Sequence, residues 1–469
     1  MTFLALVFLL AATAAIWVLP RAWAPVPLLA GACYMTLGQG IEVAGLNFPI
    51  IRLLLLAGVV RVLVRGERPA GGLLGMDKLF LGWGAWALVA SAFHESPGAT
   101  FQFHLGMVYN AFCIYFLTRC FCQTEEDLYR LVRVSAWILV PVAAEMVFEQ
   151  LTQQNLFAMF GGVPDEPAIR NNRVRSQGPF AHAILAGTVG AVCIPMMVGL
   201  WRRHPVSAKV GLAACSLMVL ASASSGPLMS VIFGLFALVL WRWRHLTHQM
   251  RVAAVVGYIL LELVMKAPAY YLIARIDLTG GSSSYHRAAL IQAALQHLEE
   301  WWWAGTDYTR HWLPYGVPWS EDHVDITNHY LAQGVRGGLP LMGLFISILW
   351  CGFRYAGQVA RNLRGWDTER EFFTWTIGAG LFAHAASCVS VAYFDQSILF
   401  LYLTLAMTAT LRVAWAGVPS YTAAPQEEGT PPMTGPAPWA WTPPQPLPES
   451  GQSLHPGQPA VQTQQSPPI

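Results

Sequence analysis

The sequence predicts an all-α, polytopic membrane protein of about 12–13 transmembrane helices, with one large, partly helical loop on the exported side. Three observations carry that prediction. Of 469 residues, 55% are hydrophobic and only 12% are charged, whereas an ordinary soluble chain carries about 25% charged residues. About thirteen apolar stretches approach the roughly 20 residues that a bilayer crossing requires. The connections between them alternate between Lys/Arg-rich and Lys/Arg-poor. A formal net charge of +2 without any basic block points away from nucleic acid as a partner.

The chain opens with "MTFLALVFLLAATAAIWVLPRAW", in which the first basic residue, Arg21, follows the apolar core rather than preceding it. That order suits a retained first helix better than a cleaved secretion signal. Further apolar stretches lie near 25–38, 48–64, 78–93, 102–119, 131–151, 180–201, 209–223, 226–243, 252–268, 337–353, 372–391 and 396–414; 25–38 and 209–223 are short. The basic connections are "RVLVRGER", Arg130 with Arg133, "RRHPVSAK", "RWRH", "RYAGQVARNLR" and the segment after Arg412, and these are placed in the cytoplasm. The intervening "GQGIEVAGLNFP", "HESPGAT", "SASSG" and "VAYFDQS" are placed on the exported side. Residues 1–415 thus form the membrane domain. The Pro/Gln-rich segment 416–469 reads as a disordered cytoplasmic tail, since it has too few aliphatic residues to offset the entropy of ordering. The eight cysteines sit almost entirely in apolar runs and read as small buried hydrophobes.

Two exported segments, 152–179 and 269–336, carry basic residues against this pattern. In the first, Arg170, Arg173 and Arg175 precede a hydrophobic run; they could hold anionic headgroups or an anionic substrate. In the second, Ser283 or Ser284 can cap a helix over "YHRAALIQAALQHLEE". The spacing gives it an apolar stripe of Ile291, Ala294, Leu295 and Leu298, with Arg287 in the first turn turned toward the buried face. An arginine beside a helix N-terminus suits a phosphate or diphosphate. Downstream, Asp322, His323, Asp325, Asn328 and His329 crowd the return to the membrane. A histidine there can take a proton from a hydroxyl. Glu321, Asp322, His323 and Asp325 could instead hold a divalent cation or stay solvated, although their spacing matches no specific metal motif. Trp301, Trp302, Trp303, Trp312 and Trp319 suit either an interfacial belt or a sugar-stacking surface.

The order of these segments resembles the O-antigen ligase and polymerase family of membrane proteins. Arg175 stands before "GPFAHAILAG", Ser225–Gly226 follow at a turn between two helices, Arg287 and Gly305 lie in the long loop, and "TNHYLAQGVRGGLP" leads back into the membrane. The likeness covers roughly 130–350. It departs in two places: the family's Ser-Arg-Gly turn reads Ser-Ser-Gly, and Thr327 occupies the place of the motif's histidine when Asn328 is matched. His329 from a shifted position, His323, or no histidine at all are the alternatives, with His329 the preferred one.

The resemblance implies a GT-C-like fold in a bacterial inner membrane with its active face in the periplasm. It also implies transfer of a glycan from an undecaprenyl-diphosphate carrier to a glycan, lipid or protein acceptor, with no metal or other cofactor. On that reading Arg175 and Arg287 would clamp the departing diphosphate and His329 would be the general base. Arg170, Arg173, Asn328, His323, Asp325 and Tyr330 would bind substrate. A transporter of lipid-linked glycans is the main rival, with Glu145 and Glu149 its best residues; a structural subunit of an assembly complex is a third reading.

Overall fold

A computed structural model describes residues 1–416 except for residues 44, 273–282 and 318–319, and excepting the side chains of Ser283 and Ser284. The expected disordered tail, the Ser283/Ser284 cap and Trp319 therefore lie outside the described residues. In chain order the elements are α1 (Phe3–Val18), α2 (Pro25–Tyr34), a hairpin of β1 (Gly40–Val43) and β2 (Leu46–Pro49), α3 (Ile50–Arg65), α4 (Gly75–Ala90), α5 (Pro97–Phe121) and α6 (Glu125–Thr152). There follow a hairpin of β3 (Ala168–Arg170) and β4 (Arg173–Arg175), α7 (Ala183–Gly199), α8 (Pro205–Ala221), α9 (Ser225–Val239), α10 (Thr247–Val264), α11 (Ser283–Gln296), α12 (Leu298–Trp301), α13 (His329–Leu363), α14 (Thr368–Ser387) and α15 (Ile398–Ala414).

Each predicted apolar stretch is helical over most of its length, so the structure is mostly helical, with two small antiparallel hairpins that an all-α reading lacks. Period-two alternation over three or four residues is too short a pattern to stand out in the sequence. Among the described residues, three helical stretches are long and apolar enough to cross a membrane: Glu125–Thr152, Ser225–Val264 (bent at Trp243) and His329–Leu363. The surface agrees with that setting. Helix α10 buries none of its residues, and Phe3, Leu63, Leu220, Leu263 and Val264 are all more than half exposed. Apolar area on this scale is stable against lipid and costly against water.

Helix α8 packs between α6 and α7, and α14 runs against α7, α9 and α13. Small residues set these distances, since apolar helices in lipid gain from close contact rather than from leaving water. A Cβ on Gly190 would lie 2.7 Å from the Cys215 carbonyl oxygen, and one on Gly187 would lie 2.4 Å from Ser222 Oγ. At the opposite pole from the polar loops described below, Asp77 at the start of α4 is fully buried and ion-paired to Arg119 of α5. Tyr115 donates to Asp77 Oδ1 at 2.7 Å, and Arg119 Nη2 donates to the Ala70 carbonyl at 2.8 Å. This network locks the α3–α4 connection to the end of α5.

Removing one member would strand the other charge out of water. Arg119→Ala is expected to cost about 3–5 kcal/mol, whereas the joint replacement Asp77→Leu with Arg119→Leu costs much less. Thermal unfolding of the detergent-purified protein checks this; equal losses in the single and paired variants would contradict it.

Candidate functional site

Most of the connections that the sequence reading places on the exported side, though not the β1–β2 segment, meet around one cavity of about 1780 Å³. Its walls come from the α4–α5 turn, the β3–β4 hairpin, the α8–α9 turn, the start of α11, stretches of 306–327, the start of α13, and residues 390–394.

The hairpin makes the basic wall. Asn171 and Asn172 have φ of 51° and 58°, the left-handed pair that a tight two-residue turn needs and that asparagine tolerates. This sets Arg170 opposite Arg173 in the register. Because side chains alternate along a strand, Arg175 projects on the same face as Arg173. All three arginines line the cavity. Arg175 is buried, and its Nη2 donates to Ser224 Oγ at 2.8 Å; Ser224 in turn donates to the Ser222 carbonyl at 2.7 Å. Burial, and secondarily the neighbouring Arg170, lower the pKa of Arg175 from its usual value. Among the described residues no carboxylate is ion-paired to Arg170, Arg173 or Arg175. The chemistry of such a cationic wall suits an anion.

The strand is held from below by α6. Glu149 Oε2 accepts the backbone N–H groups of Gln177 and Gly178, each at 2.9 Å, and Glu145 Oε1 accepts that of Leu156 at 3.2 Å. The two glutamates that favoured a transporter thus anchor the loop that carries the arginines.

Arg287 faces the cavity from α11, on the same side as the buried Leu290 and Ala294. The buried stripe therefore follows the 287–290–294 spacing. Leu295, assigned to the stripe from sequence, is 55% exposed instead, because the helix turns its Leu290 edge to the loop core. Asp325 opens to the cavity with Arg287 and His286 near by. Partial dehydration by the surrounding protein raises its pKa, against the opposing pull of His286 and Arg287. His286 donates to the Asp325 carbonyl oxygen at 2.9 Å, and His323 lies on the same wall with Nδ1 2.8 Å from Ser320 Oγ.

Six of the nine site residues read from the sequence thus share the cavity: Arg170, Arg173, Arg175, Arg287, His323 and Asp325. The other three lie outside its walls. Asn328 Oδ1 caps α13, accepting from the N–H groups of Tyr330 and Leu331. Tyr330 donates to the Ala385 carbonyl at 2.8 Å. His329 is 2% exposed; its Nδ1 accepts from Tyr393 N–H at 3.2 Å, its Nε2 faces the Gln333 amide at 3.3 Å, and its ring packs against Phe345 and Tyr393. In this position His329 cannot reach a hydroxyl in the cavity. Helical phase does not separate it from Arg336, since positions 329 and 336 lie about two turns apart on nearly the same face. His329, at the first position of α13, is enclosed by Phe345, Tyr393 and Gln333, whereas Ala332, Val335 and Arg336 further along line the cavity.

The structure also supplies residues that sequence reading passed over. Helix α13 is interrupted at Gly337 and Gly338, with φ of −159° and 73°, ahead of Pro340. Arg336, immediately before the break, lines the cavity with its guanidinium 5.2 Å from the Phe103 ring centroid. An arginine inside "GVRGGLP", between two apolar stretches, was the available signal. Nε2 of His94, in the α4–α5 turn, donates to the carbonyls of Ala304 and Arg336, and its Nδ1 stands 2.6 Å from Asp307 Oδ1, joining three walls. The aromatic lining consists of Phe103, Tyr285, Tyr308, Tyr315 and Phe394. None of the described tryptophans takes part: Trp301 and Trp312 are buried in the loop's own core, and Trp302 and Trp303 are about half exposed away from the cavity. Glu321, Asp322, His323 and Asp325 do not gather their ligand atoms as a cation site would.

No model of a known protein family matches the chain, and no curated protein matches it either.

The loop depends on two close approaches to α13. Gly305 has φ of 98°, and a Cβ there would lie 2.2 Å from the Val335 carbonyl oxygen; one on Gly338 would lie 2.1 Å from that of Trp303. Gly305→Ala is expected to cost about 1–3 kcal/mol locally and to open the loop. Limited proteolysis should then cut between residues 297 and 327 several-fold faster than in the parent, and an unchanged cutting rate would count against this packing.

Proposed function

We propose that the protein is a membrane glycosyltransferase of the O-antigen ligase or polymerase type. It would transfer a glycan from an undecaprenyl-diphosphate carrier to an acceptor hydroxyl at the periplasmic face of a bacterial inner membrane. The wider topology, about 12–13 spans in a GT-C-like arrangement, belongs to the same proposal. One observation carries the reading: Arg170, Arg173, Arg175, Arg287 and Arg336 converge on a single cavity that also holds a carboxylate of raised pKa and tyrosine faces. Arginines present planar, multi-donor forks suited to phosphate oxygens, and tyrosine rings suit the apolar faces of sugars.

In the reaction, the acceptor oxygen attacks the anomeric carbon as the bond from that carbon to the diphosphate oxygen breaks. The electron pair leaves with the diphosphate, where Arg175 and Arg287 stabilise the developing charge. Groups aligned in advance on a developing charge supply the largest electrostatic contribution in most enzymes. The acceptor's proton passes to a base, and Asp325 takes that role in place of the enclosed His329, with His323 the nearest alternative. A raised carboxyl pKa suits this step, because a more basic carboxylate accepts the proton more readily. Arg336, half-buried just before the break in α13, completes the basic floor.

The deciding assay uses nanodisc-embedded protein and undecaprenyl-diphosphate glycan, with free undecaprenyl diphosphate and product length as readouts. Arg175→Ala and Arg287→Ala are each expected to lower kcat by about 10²–10³, and Asp325→Asn by about 10²–10⁴. Since Asp325 works when deprotonated, the parent's kcat/KM should rise through a pH above the ordinary carboxylate range, and Asp325→Asn should lose that limb. His329→Gln should keep the limb and most of the activity; its loss there would return the base to His329. Release without added acceptor, together with longer chains, marks a polymerase, whereas release only with a separate acceptor marks a ligase. Full activity in both arginine variants, or lipid crossing with no release, would overturn the reading.

A further inference from the structure

Outside the cavity, the long loop brings together a second set of side chains that the transfer reaction does not use. His297 follows α11, Glu300 lies one turn on in α12, and His311 comes from the short helical turn Arg310–Trp312. His297 Nδ1 stands 2.7 Å and His311 Nε2 3.0 Å from the same atom, Oε1 of Glu300. All three potential ligand atoms fall within 4.8 Å of one another. We propose that these residues form a binding site for a divalent transition metal of the zinc class, with a structural role in the loop.

The donor set selects the metal. Two imidazoles and one carboxylate suit zinc and its transition-metal neighbours, while magnesium and calcium prefer oxygen-only shells. Ligands about 2.0–2.2 Å from zinc in a tetrahedral array stand roughly 3.3 Å apart. The two observed separations need only a few tenths of an ångström of expansion, which exposed side chains can give. Exposures of 30%, 33% and 36% for His297, Glu300 and His311 leave an entry path and room for a water as fourth ligand.

The surroundings are arranged as around a metal ligand. Trp312 Nε1 donates to the other carboxylate oxygen, Glu300 Oε2, at 3.0 Å, and the Trp312 ring stacks on His297 at 5.9 Å between centroids. Such outer hydrogen bonds fix a ligand's orientation. The neighbouring cation, Arg310, is turned aside onto the carbonyls of Leu313 and Pro314.

The position explains what the ion would do. Tyr308, a cavity residue, stacks on His311 at 5.1 Å. The N–H groups of Thr309 and Arg310 donate to the Asp322 carbonyl at 2.9 and 3.0 Å, and Thr309 Oγ1 accepts from Val324 N–H at 3.1 Å. An ion joining His311 to His297 and Glu300 therefore pins the stretch that supports His323 and the approach to Asp325. This site does not depend on the glycosyltransferase reading, since binding is measured without any substrate.

The test uses full-length protein purified in detergent through a tag free of histidine, stripped with chelator, then given zinc chloride and desalted. Metal per chain is counted by mass spectrometry, and cobalt substitution supplies the absorption signature of a tetrahedral nitrogen- and oxygen-ligated ion. The expected result is one zinc per chain, retained in His204→Ala, lost in the double variant His297→Ala with His311→Ala, and bound at least tenfold more weakly by Glu300→Gln. Glu300→Gln keeps the side-chain size, so an unchanged melting temperature of its metal-free form separates ligand loss from misfolding. No zinc on the parent, undiminished zinc on the double variant, or loss of zinc in His204→Ala would each overturn the assignment. So would calcium or magnesium binding to the trio in preference to zinc.

Discussion

The carboxylate of Glu149, fully buried near the end of α6, accepts two backbone N–H groups from Gln177 and Gly178, and the cationic wall of the cavity hangs on that contact. A carboxylate enclosed among helices is costly unless hydrogen bonds satisfy it. Here the donors are main-chain groups of the segment that leaves the hairpin. The same two bonds therefore satisfy Oε2, while Oε1 is buried without a hydrogen bond among the described residues, and they fix the path of the chain. Two residues upstream, that path brings Arg175 to Ser224 at the α8–α9 turn. The hairpin beyond it then has no freedom to turn its arginine face elsewhere.

A second constraint acts from the opposite wall. Gly305 and Gly338 let the loop and the broken start of α13 touch backbone to backbone, and His94 ties the α4–α5 turn to both with three hydrogen bonds. The break at Gly337–Gly338 matters because it ends the first short segment of α13 just after Arg336. The cavity is thus a meeting of loops held by buried polar contacts, on a bundle held by small-residue packing.

Much of this was legible in the sequence. Composition and the spacing of apolar stretches mark the helices, and loop charge groups together most of the connections that line the cavity, which also draws on the starts of α5 and α7. The arginines 170, 173, 175 and 287 stood out because basic residues were unexpected there. Position along the chain could not say which way a side chain faces. His329 looked poised in a polar run, yet Phe345, Tyr393 and Gln333 close around it, and Asn328 beside it serves as the helix cap. The tryptophans looked like the sugar-facing surface because they are conspicuous, while the tyrosines that line the cavity are scattered over thirty residues.

By itself, then, the sequence determined the mostly helical architecture and the cationic character of the site, because periodicity and net composition are local properties of the chain. Only the tertiary structure decided which donors converge. The common face of three arginines requires a turn geometry and a strand register. The exclusion of His329 follows from its enclosure by Phe345, Tyr393 and Gln333, and Arg336 reaches the cavity just ahead of the glycine break. The grouping of His297, Glu300 and His311 joins residues that are fourteen positions apart at their limits. Convergence of this kind is set by packing between distant segments, and no local pattern encodes it.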